Sequence, residues 1–456
     1  MEELKRRIET KNTTAAVIGL GYVGLPLAME IASAGFKVIG IDIDKGKVAR
    51  LKEGRSYISD VPDALLAEML RQARFVPTAD FSALGDTDTV SICVPTPLSK
   101  SRDPDISFIL GATEQIRKYL HRDQLIVLES TTYPGTTEEL ILPELESSGL
   151  RAGRDLFVAF SPERIDPGNK TFTTRNTPKI VGGVTEQCTE IARIFYSQFI
   201  DRVIPVSSTK CAEMVKLLEN TFRSVNIGMV NELALMCDLL GVDVYEVIDA
   251  AATKPFGFIP FYPGPGLGGH CIPIDPHYLA WKLKALNFQA RFIGLASEVN
   301  GMMPAVVTGL IADGLNRHSK SIRGSKILIL GVAYKKDVSD CRESPALDVM
   351  RMLSDKGANL AYNDPFVPSL RLNGKYLDSV ALSPELIKSQ DCIVILTDHS
   401  AYNWAEIAGA AKLIVDTRNA TKNLRDLKDR IIKLGDGNSF GRSKADPETM
   451  HAHVTH

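Results

Sequence analysis

Short apolar runs alternate with amphipathic stretches over the first half of the chain. The apolar runs lie at 15–20, 37–41, 89–94, 125–129 and 157–160. Segments such as 26–34 and 62–72 carry the spacing of apolar residues that is typical of a helix. Strands that alternate with helices in this way predict a parallel sheet covered by helices on both faces.

The same alternation returns after residue 326. Strands are predicted at 326–330, 359–362, 392–396 and 413–416, with a helix at 345–353, whereas residues 211–240 read as one long helix. We therefore predict an α/β protein with two doubly wound parallel-sheet domains joined by a long central helix. The predicted segments are an N-terminal domain at 1–205, a central helical domain at 206–305, a C-terminal domain at 306–435 and a polar tail at 436–456.

Composition narrows the class of protein. The 456 residues are 44% hydrophobic and 24% charged with a formal net charge of -2, which argues against general binding to nucleic acid or to an anionic membrane. Seven scattered cysteines without a C-x-x-C pair favour a reducing cytoplasm and predict neither a disulfide framework nor a metal site. The apolar stretch after residue 15 is interrupted by glycines, so we expect no membrane span.

A G-x-G-x-x-G sequence follows the first predicted strand and opens the first predicted helix. In that setting the glycines let a pyrophosphate approach the N-terminus of the helix, as in Rossmann-type domains. The residues expected to line the cofactor are Gly19, Gly21, Tyr22, Val23 and Gly24. Asp42 ends the next strand and is positioned to bind a ribose diol, which favours NAD over NADP, and Asp44 is a weaker candidate for the same role.

Two further strand ends carry polar or rigid residues. Pro95 and Thr96 follow the run at 89–94 and are expected to border the cofactor, whereas Cys93 is interpreted as a small buried residue. The hydroxyl-rich run at 130–137 follows another strand. Its hydroxyl groups could hold a phosphate or a water.

Thr136 and Thr137 have an alternative interpretation. Either could cap a helix over 138–145, because a threonine hydroxyl accepts hydrogen bonds from the first amides of a helix. Both interpretations can hold for different residues of the run.

Charged and amide side chains form two more candidate groups. Glu163 and Arg164 follow the strand at 157–160, where Glu163 could act as a general base through water or take part in a surface salt bridge. Glu213, Lys216 and Asn220 share one face of the long helix. Their spacing alone favours a solvated stripe, although a lysine and an amide could also polarise a substrate oxygen.

The run G-P-G-L-G-G-H-C-I-P-I-D-P at 264–276 places one thiol after a glycine-rich turn. This context, with Asp275 four residues later, favours Cys271 as a nucleophile over a buried structural cysteine. With a nicotinamide cofactor, such a thiol can trap an aldehyde as a thiohemiacetal that is oxidised to a thioester and hydrolysed to an acid. His270 could activate the thiol or help to mark the substrate class.

Taken in order along the chain, these motifs resemble the nucleotide-sugar 6-dehydrogenases, the UDP-glucose/GDP-mannose dehydrogenase family. The resemblance runs from about residue 13 to about residue 420. It implies an NAD-binding Rossmann domain, a central helix that forms a homodimer or a higher homo-oligomer, and a Rossmann-like domain that binds the UDP-sugar. It also implies oxidation of the sugar C6 alcohol to a carboxylate with two NAD⁺ and a covalent cysteine intermediate.

The resemblance assigns roles by matching position. The implied catalytic residues are Cys271, Lys216, Asn220, Asp275, Glu163 and Thr132. Thr131 and Arg342 are added to the cofactor site, and the implied substrate-binding residues are Glu163, Arg164, Lys216, Asn220, Gly268, Lys335 and Arg418.

The cysteine motif departs from the UDP-glucose branch of the family. Ile274 stands where that branch has a lysine, and Pro255 stands where it has an arginine. The pattern most resembles the branch that oxidises UDP-N-acetyl-D-glucosamine for surface polysaccharide synthesis, with UDP-N-acetylmannosamine, UDP-N-acetylgalactosamine and UDP-glucose as alternatives. A non-catalytic NAD-binding protein and a two-electron dehydrogenase of the 6-phosphogluconate type are the rival classes.

Overall fold

The computed structural model describes residues 1–58, 60–99, 103–165, 169, 171–269 and 271–438. These residues form two compact units. The first comprises Met1–Asn220 with Ile274–Gln289, and the second comprises Thr221–Pro273 with the chain from Ala290 onward. Part of the predicted polar tail, 439–456, lies outside the described residues.

The first unit is built on a sheet that has eight strands in the described part of the chain. The strands are β1 Thr14–Ile18, β2 Lys37–Ile41, β3 Phe75–Thr78, β4 Thr89–Ile92, β5 Leu125–Leu128, β6 Phe157–Phe160, β7 Lys179–Gly183 and β8 Val203–Pro205. Their order in the sheet is β3-β2-β1-β4-β5-β6-β7-β8. All neighbours are parallel except β6 and β7, which are antiparallel. The order reverses between β1 and β4, where sheets of this kind open a ligand crevice.

Strand β5 explains why both faces of this sheet are covered. Leu125 and Val127 point into one apolar cluster, whereas Ile126 and Leu128 point into the other. Side chains alternate across a strand, so a continuous apolar run buries both faces only when helices pack on each side. Such a strand is typical of a doubly wound fold.

The helices in the described part of the chain follow the predicted alternation. They are α1 Glu2–Glu9, α2 Gly24–Ser33, α3 Lys45–Lys52, α4 Asp63–Arg71, α5 Ser107–Tyr119, α6 Leu142–Glu146, α7 Glu186–Tyr196, α8 Thr209–Leu240, α9 Val244–Ala252, α10 Asp275–Lys284, α11 Arg291–Asn316, α12 Pro345–Asp355, α13 Pro384–Ser389 and α14 Trp404–Ala410. The 32-residue α8 carries the chain from the first unit into the second.

The second unit repeats the plan on a smaller scale. Its sheet consists of β9 Lys326–Leu330, β10 Asn359–Asn363, β13 Cys392–Ile395, β14 Ile414–Asp416 and β15 Ile431–Lys433, and β11 Ser369–Leu372 pairs with β12 Lys375–Asp378 as a separate hairpin. The order of the larger sheet is β10-β9-β13-β14-β15. Along β9, Ile327 and Ile329 join one core cluster while Leu328 and Leu330 join the other. The prediction of two doubly wound domains with a long central helix is confirmed.

Helix α11 is long and apolar enough to cross a membrane by length and composition alone. Half of its most apolar window is buried inside the protein, and Val307, Leu310 and Ile311 belong to the core of the second unit. The core helix of a soluble protein passes the same test, so the helix is weak evidence for a membrane span.

Candidate active site

The glycine loop between β1 and α2 is closely packed at its two ends and open in the middle. Gly19 has φ +90°, and a Cβ there would lie 2.6 Å from the Cys93 carbonyl oxygen. A Cβ on Gly24 would lie 1.9 Å from the Gly19 carbonyl oxygen. At Gly21 a Cβ would meet nothing within 4 Å. The outer glycines are therefore required by packing, and the central glycine faces open space that a ligand can approach.

Asp42 lies beside this loop and is buried. Its Oδ2 accepts a hydrogen bond of 2.9 Å from the Leu20 amide, and its Oδ1 accepts one of 2.9 Å from the Asp44 amide. Lys47 Nζ lies 3.6 Å from Oδ2. The Asp44 side chain instead caps α3 by accepting from the amides of Gly46 and Lys47. The two acids therefore have different surroundings, and only Asp42 contacts the loop.

The remaining residues predicted to border the cofactor in the first unit differ in exposure. Thr96 is buried, and its carbonyl accepts a hydrogen bond from the Tyr278 hydroxyl. Tyr22 and Pro95 are exposed, whereas Val23 and Thr131 are half-buried. Cys93 is buried, as predicted, and burial raises the pKa of its thiol well above the ordinary value.

The polar face of α8 is buried, so the prediction of a solvated stripe is wrong. Glu213 is fully buried, and Lys216 and Asn220 are 8% and 6% exposed. Glu213 accepts hydrogen bonds from the Gly135 amide, from the Thr137 amide at 3.0 Å and from the Thr137 hydroxyl at 2.8 Å. Burial raises the pKa of Glu213, against the opposing effect of these bonds. Glu213 therefore fixes the hydroxyl-rich run to the helix.

The predicted helix cap at Thr136 or Thr137 is also wrong, because both hydroxyl groups are bound to other side chains. The segment opens with a π-helical turn, Thr137–Ile141, and no side-chain cap is formed at Thr136. The Thr137 hydroxyl is bound to Glu213, and the Thr136 hydroxyl lies 2.9 Å from that of Thr132. Thr132 is buried, so its hydroxyl is held in place by its neighbour.

Lys216, Asn220, Asp275 and Glu163 come together within the first unit. Lys216 Nζ donates to the Glu163 carbonyl oxygen at 2.6 Å, and Asn220 Nδ2 donates to Asp275 Oδ2. Asp275 is 3% exposed. Burial raises the pKa of Asp275 to about 6, although Lys216 and the hydrogen bond from Asn220 act to lower it. A cation, an amide and a carboxyl group thus meet where little water reaches them.

Glu163 has one carboxylate oxygen that accepts hydrogen bonds and one that accepts none from the described residues. Its Oε1 accepts hydrogen bonds of 2.7 Å from the amides of Arg164 and Ile165. Its Oε2 is buried and accepts no hydrogen bond from the described residues. The neighbouring Arg164 binds the Pro178 carbonyl at 2.6 Å and Glu219 at 2.7 Å. Glu163 is 9% exposed, which rules out the alternative of a surface salt bridge.

Three buried residues beside Glu163 were missed by sequence reasoning. Glu129 follows β5, Lys179 begins β7, and Tyr196 ends α7. Lys179 Nζ contacts Glu129 Oε2 at 2.7 Å and Glu163 Oε2 at 3.6 Å. An acid at the end of an apolar strand was a usable signal for Glu129, since the same signal identified Asp42. Nothing local marked Lys179 or Tyr196.

Residues 264–273 of the cysteine motif belong to the second unit and are packed there through their glycines, whereas residues 274–276 belong to the first unit. A Cβ on Gly268 would lie 2.9 Å from Tyr334 Cβ, and one on Gly264 would lie 2.5 Å from an Arg418 nitrogen. The Gly264 amide donates to Asn231 at 2.9 Å. Cys271 is half-buried. His270 lies outside the described residues.

The other predicted residues of the second unit lie on its loops. Arg418 follows β14, and its Nε donates to the Leu396 carbonyl at 2.9 Å. Lys335 is half-buried on the loop after β9, and Arg342 forms a two-pronged contact with Asp340, with Nε at 2.9 Å and Nη2 at 2.7 Å. Their roles toward a ligand stay predictions from the resemblance.

Three models of one protein family match the chain in sequence order. The NAD binding domain of the UDP-glucose/GDP-mannose dehydrogenase family matches residues 13–200, the central domain matches 210–302, and the UDP binding domain matches 328–423. The chain belongs to the UDP-glucose/GDP-mannose dehydrogenase family. The predicted family is thereby confirmed.

Relatives within the family carry two different substrate names. The chain is 36% identical over 413 residues to UDP-N-acetyl-D-mannosamine dehydrogenase of Pyrococcus horikoshii, covering 89% of this chain and 96% of the relative. It is 35% identical over 359 residues to UDP-N-acetyl-D-glucosamine 6-dehydrogenase of Pseudomonas aeruginosa, covering 78% and 84%. A solved structure of a UDP-D-ManNAc dehydrogenase from Pyrococcus horikoshii superimposes with a TM-score of 0.85 at 35% identity, covering 93% and 99%.

NAD, the cofactor of this family, fits the first unit. The open space at Gly21 gives a pyrophosphate room to approach the backbone, and Asp42 stands beside that loop at the end of β2. The N-terminus of α2, which begins at Gly24, has no side-chain cap and follows this loop directly, so a phosphate at the loop would lie at the positive end of the helix. The prediction of NAD as cofactor is confirmed by the matching NAD binding domain.

Proposed function

We propose that this protein oxidises the C6 alcohol of UDP-N-acetyl-D-glucosamine to UDP-N-acetyl-D-glucosaminuronic acid, with two NAD⁺ consumed for each sugar. The observation that carries the proposal is the buried cluster of Lys216, Asn220, Asp275 and Glu163, each at least nine-tenths buried. A structural helix face has no need to bury an ammonium group, an amide and two carboxyl groups together, because each of them loses hydration. A site that stabilises charge on a substrate oxygen does need them.

We assign the chemistry to these side chains as follows. NAD⁺ held by the loop at Gly21 and by Asp42 would supply the hydride acceptor for both oxidations at C6. Lys216 and Asn220 bind the C6 oxygen and stabilise its negative charge. Asp275 positions the Asn220 amide, and the Glu163 carbonyl positions the Lys216 ammonium group. Thr132 offers a hydroxyl that is already oriented by Thr136.

Cys271 supplies the covalent step. Its thiolate attacks the C6 aldehyde carbon, so that a C–S bond forms and the oxygen becomes a thiohemiacetal oxyanion. Loss of the second hydride gives a thioester. Glu163 removes a proton from water, the water oxygen attacks C6, and the C–S bond breaks to release the acid and the thiolate. We assign this proton to Oε2 of Glu163, because that oxygen accepts no hydrogen bond from the described residues.

The choice of an N-acetylated sugar rests on the cysteine motif. Ile274 and Pro255 replace two charged residues of the UDP-glucose branch, and less charge with more apolar surface suits an acetamido group. The relatives from Pyrococcus and Pseudomonas are both dehydrogenases of a UDP-N-acetyl sugar, which supports this choice. UDP-N-acetylmannosamine is the second candidate, because the Pyrococcus relative matches over nearly its whole length.

A panel of nucleotide sugars tests this function. The purified protein is incubated with NAD⁺ and, separately, UDP-N-acetylglucosamine, UDP-N-acetylmannosamine, UDP-N-acetylgalactosamine and UDP-glucose, and NADH and product mass are recorded. We expect two NADH per sugar and the fastest turnover with UDP-N-acetylglucosamine. Much faster turnover of UDP-glucose would overturn the choice of sugar. One NADH per sugar would indicate the two-electron class, and no NADH with any sugar would favour a non-catalytic protein.

Replacing the thiol tests the covalent step. Cys271→Ser is expected to stop release of the acid and to leave NAD binding unchanged, as followed by product mass and by a cofactor-binding titration. Cys211→Ser is the matched control, because Cys211 is also a half-buried cysteine that forms no disulfide. Formation of acid by Cys271→Ser at the wild-type rate would refute the role of Cys271.

We further propose a homodimer formed through α8, a cytoplasmic location and a role in surface polysaccharide synthesis. Leu218, Met229 and Leu239 on α8 are each more than half exposed, and apolar surface of this kind is usually covered by a partner. Scattered cysteines without a disulfide fit the cytoplasm. Light scattering should give twice the chain mass, and Leu218→Glu with Met229→Glu should reduce it to one chain.

A further inference from the structure

Lys179 is a buried cation between two carboxylates in the first unit. Its side chain is 6% exposed, and its Nζ contacts Glu129 Oε2 at 2.7 Å and Glu163 Oε2 at 3.6 Å. Nζ also lies 5.1 Å from the centre of the Tyr196 ring. Burial acts to lower the pKa of Lys179, but the charges of Glu129 and Glu163 outweigh it and leave the pKa raised. The ammonium group is therefore held in its charged form.

Glu129 and Tyr196 fix the position of this cation. The Tyr196 hydroxyl donates to Glu129 Oε1 at 2.5 Å, while Glu129 Oε2 binds Lys179, so both oxygens of Glu129 are used. Glu129 has no exposed side-chain surface. The three residues come from the end of β5, the start of β7 and the end of α7, which are packed into one sheet and its covering helix. Lys179 can therefore move little relative to Glu163.

Of the two carboxylates beside Lys179, only that of Glu163 has an oxygen without a hydrogen bond from the described residues. Two backbone amides hold its Oε1, and Lys179 approaches its Oε2 without reaching hydrogen-bonding distance. A cation at that distance attracts the carboxylate without donating a hydrogen bond to it, so Oε2 can still accept one from another donor. Without Lys179, Glu129 and Glu163 would be two buried carboxylates with no shared cation.

We propose that Lys179, held by Glu129 and Tyr196, is a positioning residue that holds the Glu163 carboxylate in place for the water that hydrolyses the thioester, with Oε2 left to accept a hydrogen bond from that water. The inference rests on the function proposed above. In that step the water proton passes to Glu163 Oε2, the water oxygen bonds to C6, and the C–S bond to Cys271 breaks. Lys179 touches neither the water nor the thioester, and it acts through the orientation of Glu163.

A role confined to hydrolysis predicts a specific kinetic signature. In Lys179→Met, both oxidations proceed and the thioester then persists. We expect a rapid burst of about two NADH per active site followed by steady-state turnover reduced at least tenfold, with KM changed less than kcat. Intact-protein mass spectrometry of the quenched reaction should show the acyl adduct, and peptide mapping should place it on Cys271.

Three further variants separate this role from general damage to the fold. Lys179→Arg keeps the cation and should restore much of the steady-state rate. Lys118→Met removes an exposed lysine of α5 that is paired with Glu114 and should behave as the wild type. Glu129→Gln should still turn over, whereas Glu129→Gln combined with Lys179→Met should accumulate the adduct. The double variant leaves no unpaired charge at Glu129, so it tests the inference even if Lys179→Met does not fold.

The outcomes are distinguishable from those of the function itself. If the wild type forms two NADH per sugar but the folded Lys179 variants lose the burst and the turnover together, the inference fails and the proposed function stands. Steady-state turnover at the wild-type rate in the double variant would also overturn it. If the wild type forms no NADH with any nucleotide sugar, the proposed function fails and the inference fails with it.

Discussion

The loop after β1 in the first unit and the loop after β9 in the second have the same construction. Gly19 and Gly331 both have positive φ, and a Cβ would lie 2.6 Å from the Cys93 oxygen in one and 2.3 Å from the Thr397 oxygen in the other. In both loops the next residue donates its amide to an aspartate that follows the second strand of the unit. The bond runs from Leu20 to Asp42 at 2.9 Å in the first unit and from Val332 to Asp364 at 2.7 Å in the second.

The two loops differ at two chemical points. Ala333 occupies the position that corresponds to Gly21, so the second loop carries a methyl group where the first is open. Asp364 is bound to the fully buried His399 at 3.0 Å. The basic side chain beside Asp42 is instead the partly exposed Lys47, at 3.6 Å. The same loop construction is therefore open at Gly21 in the first unit and carries the Ala333 methyl group at the equivalent position in the second.

Two buried carboxyl groups, Asp364 in the second unit and Asp275 in the first, also differ in their surroundings. Burial acts to raise the pKa of Asp364, but bonds from His399, Val332 and Phe366 outweigh it and leave the pKa lowered. For Asp275 burial dominates, and the pKa is raised to about 6. The second unit compensates its buried charge, whereas the first leaves one poorly compensated, which is typical of a functional site.

The largest effect is expected from removing the partner of Asp364. His399→Ala leaves a buried carboxylate without its ring donor and should lower the free energy of unfolding at pH 7 by about 3–5 kcal/mol. Denaturant titration measures the change, with His318→Ala on the surface as control. Because the folded pKa of Asp364 is lowered, the stabilisation is lost as pH falls below its ordinary value of 3.8. A loss below about 1 kcal/mol at pH 7 would contradict the interpretation that His399 compensates the buried charge of Asp364.

The opposite sign is expected at Asp275. Because the folded pKa of Asp275 is raised, the contribution of this group to the free energy of unfolding is greatest below pH 3.8 and declines as pH rises through about 6. Asp275→Asn removes the ionisation and should raise the free energy of unfolding by up to about 3 kcal/mol at pH 8, with roughly half that gain at pH 5. The same variant should lose turnover. A variant that is destabilised equally at both pH values would show that Asp275 is a structural carboxylate.

Gly21→Ala tests the open centre of the first loop. The added methyl group meets no protein atom within 4 Å, so stability should not change, yet it occupies the space through which a pyrophosphate approaches. We expect NAD to bind about tenfold more weakly, equivalent to about 1.4 kcal/mol. Gly85→Ala, which also meets nothing within 4 Å, is the matched control. Equal NAD affinity in both variants would remove the basis for the distinction between Gly21 and Ala333.

The smallest effect is expected at Asp44. Its side chain caps α3, so Asp44→Ala should lower the free energy of unfolding by about 1 kcal/mol and leave NAD affinity unchanged. Asp42→Ala, measured in parallel by cofactor titration, should weaken NAD and reduce the preference over NADP, because a carboxylate repels the 2′-phosphate. A similar loss of NAD affinity in both variants would contradict the assignment of ribose binding to Asp42 rather than to Asp44.

Apolar periodicity located most elements of the fold. The strands at 37–41, 157–160 and 326–330 were predicted to the residue, because continuous apolar runs occur where both faces of a sheet are covered. The sequence pattern did not mark α1, nor the antiparallel pairing of β6 with β7. Pairing direction depends on where the chain returns to the sheet, and no local pattern records that.

The candidate site also has one part that the sequence predicted and another part that it did not. Glycine spacing and the acid after β2 predicted the cofactor loop, because a strand, a tight turn and a helix are local structures. The burial of Glu213 and the pairing of Glu129 with Lys179, 50 residues apart, were not predictable. Whether a charged helix face meets water or protein depends on what packs against it, and only the tertiary fold decides that.

The sequence by itself determined the family, the two nucleotide-binding folds, the NAD loop and the thiol at Cys271, because each is written in contiguous residues. Tertiary structure decided which of the many charged residues lose water. It buried Lys216, Asn220 and Asp275 and placed a cation beside Glu163. The physical reason is that desolvation and pairing of charge depend on distances between segments far apart in the chain, which spacing along the sequence does not encode.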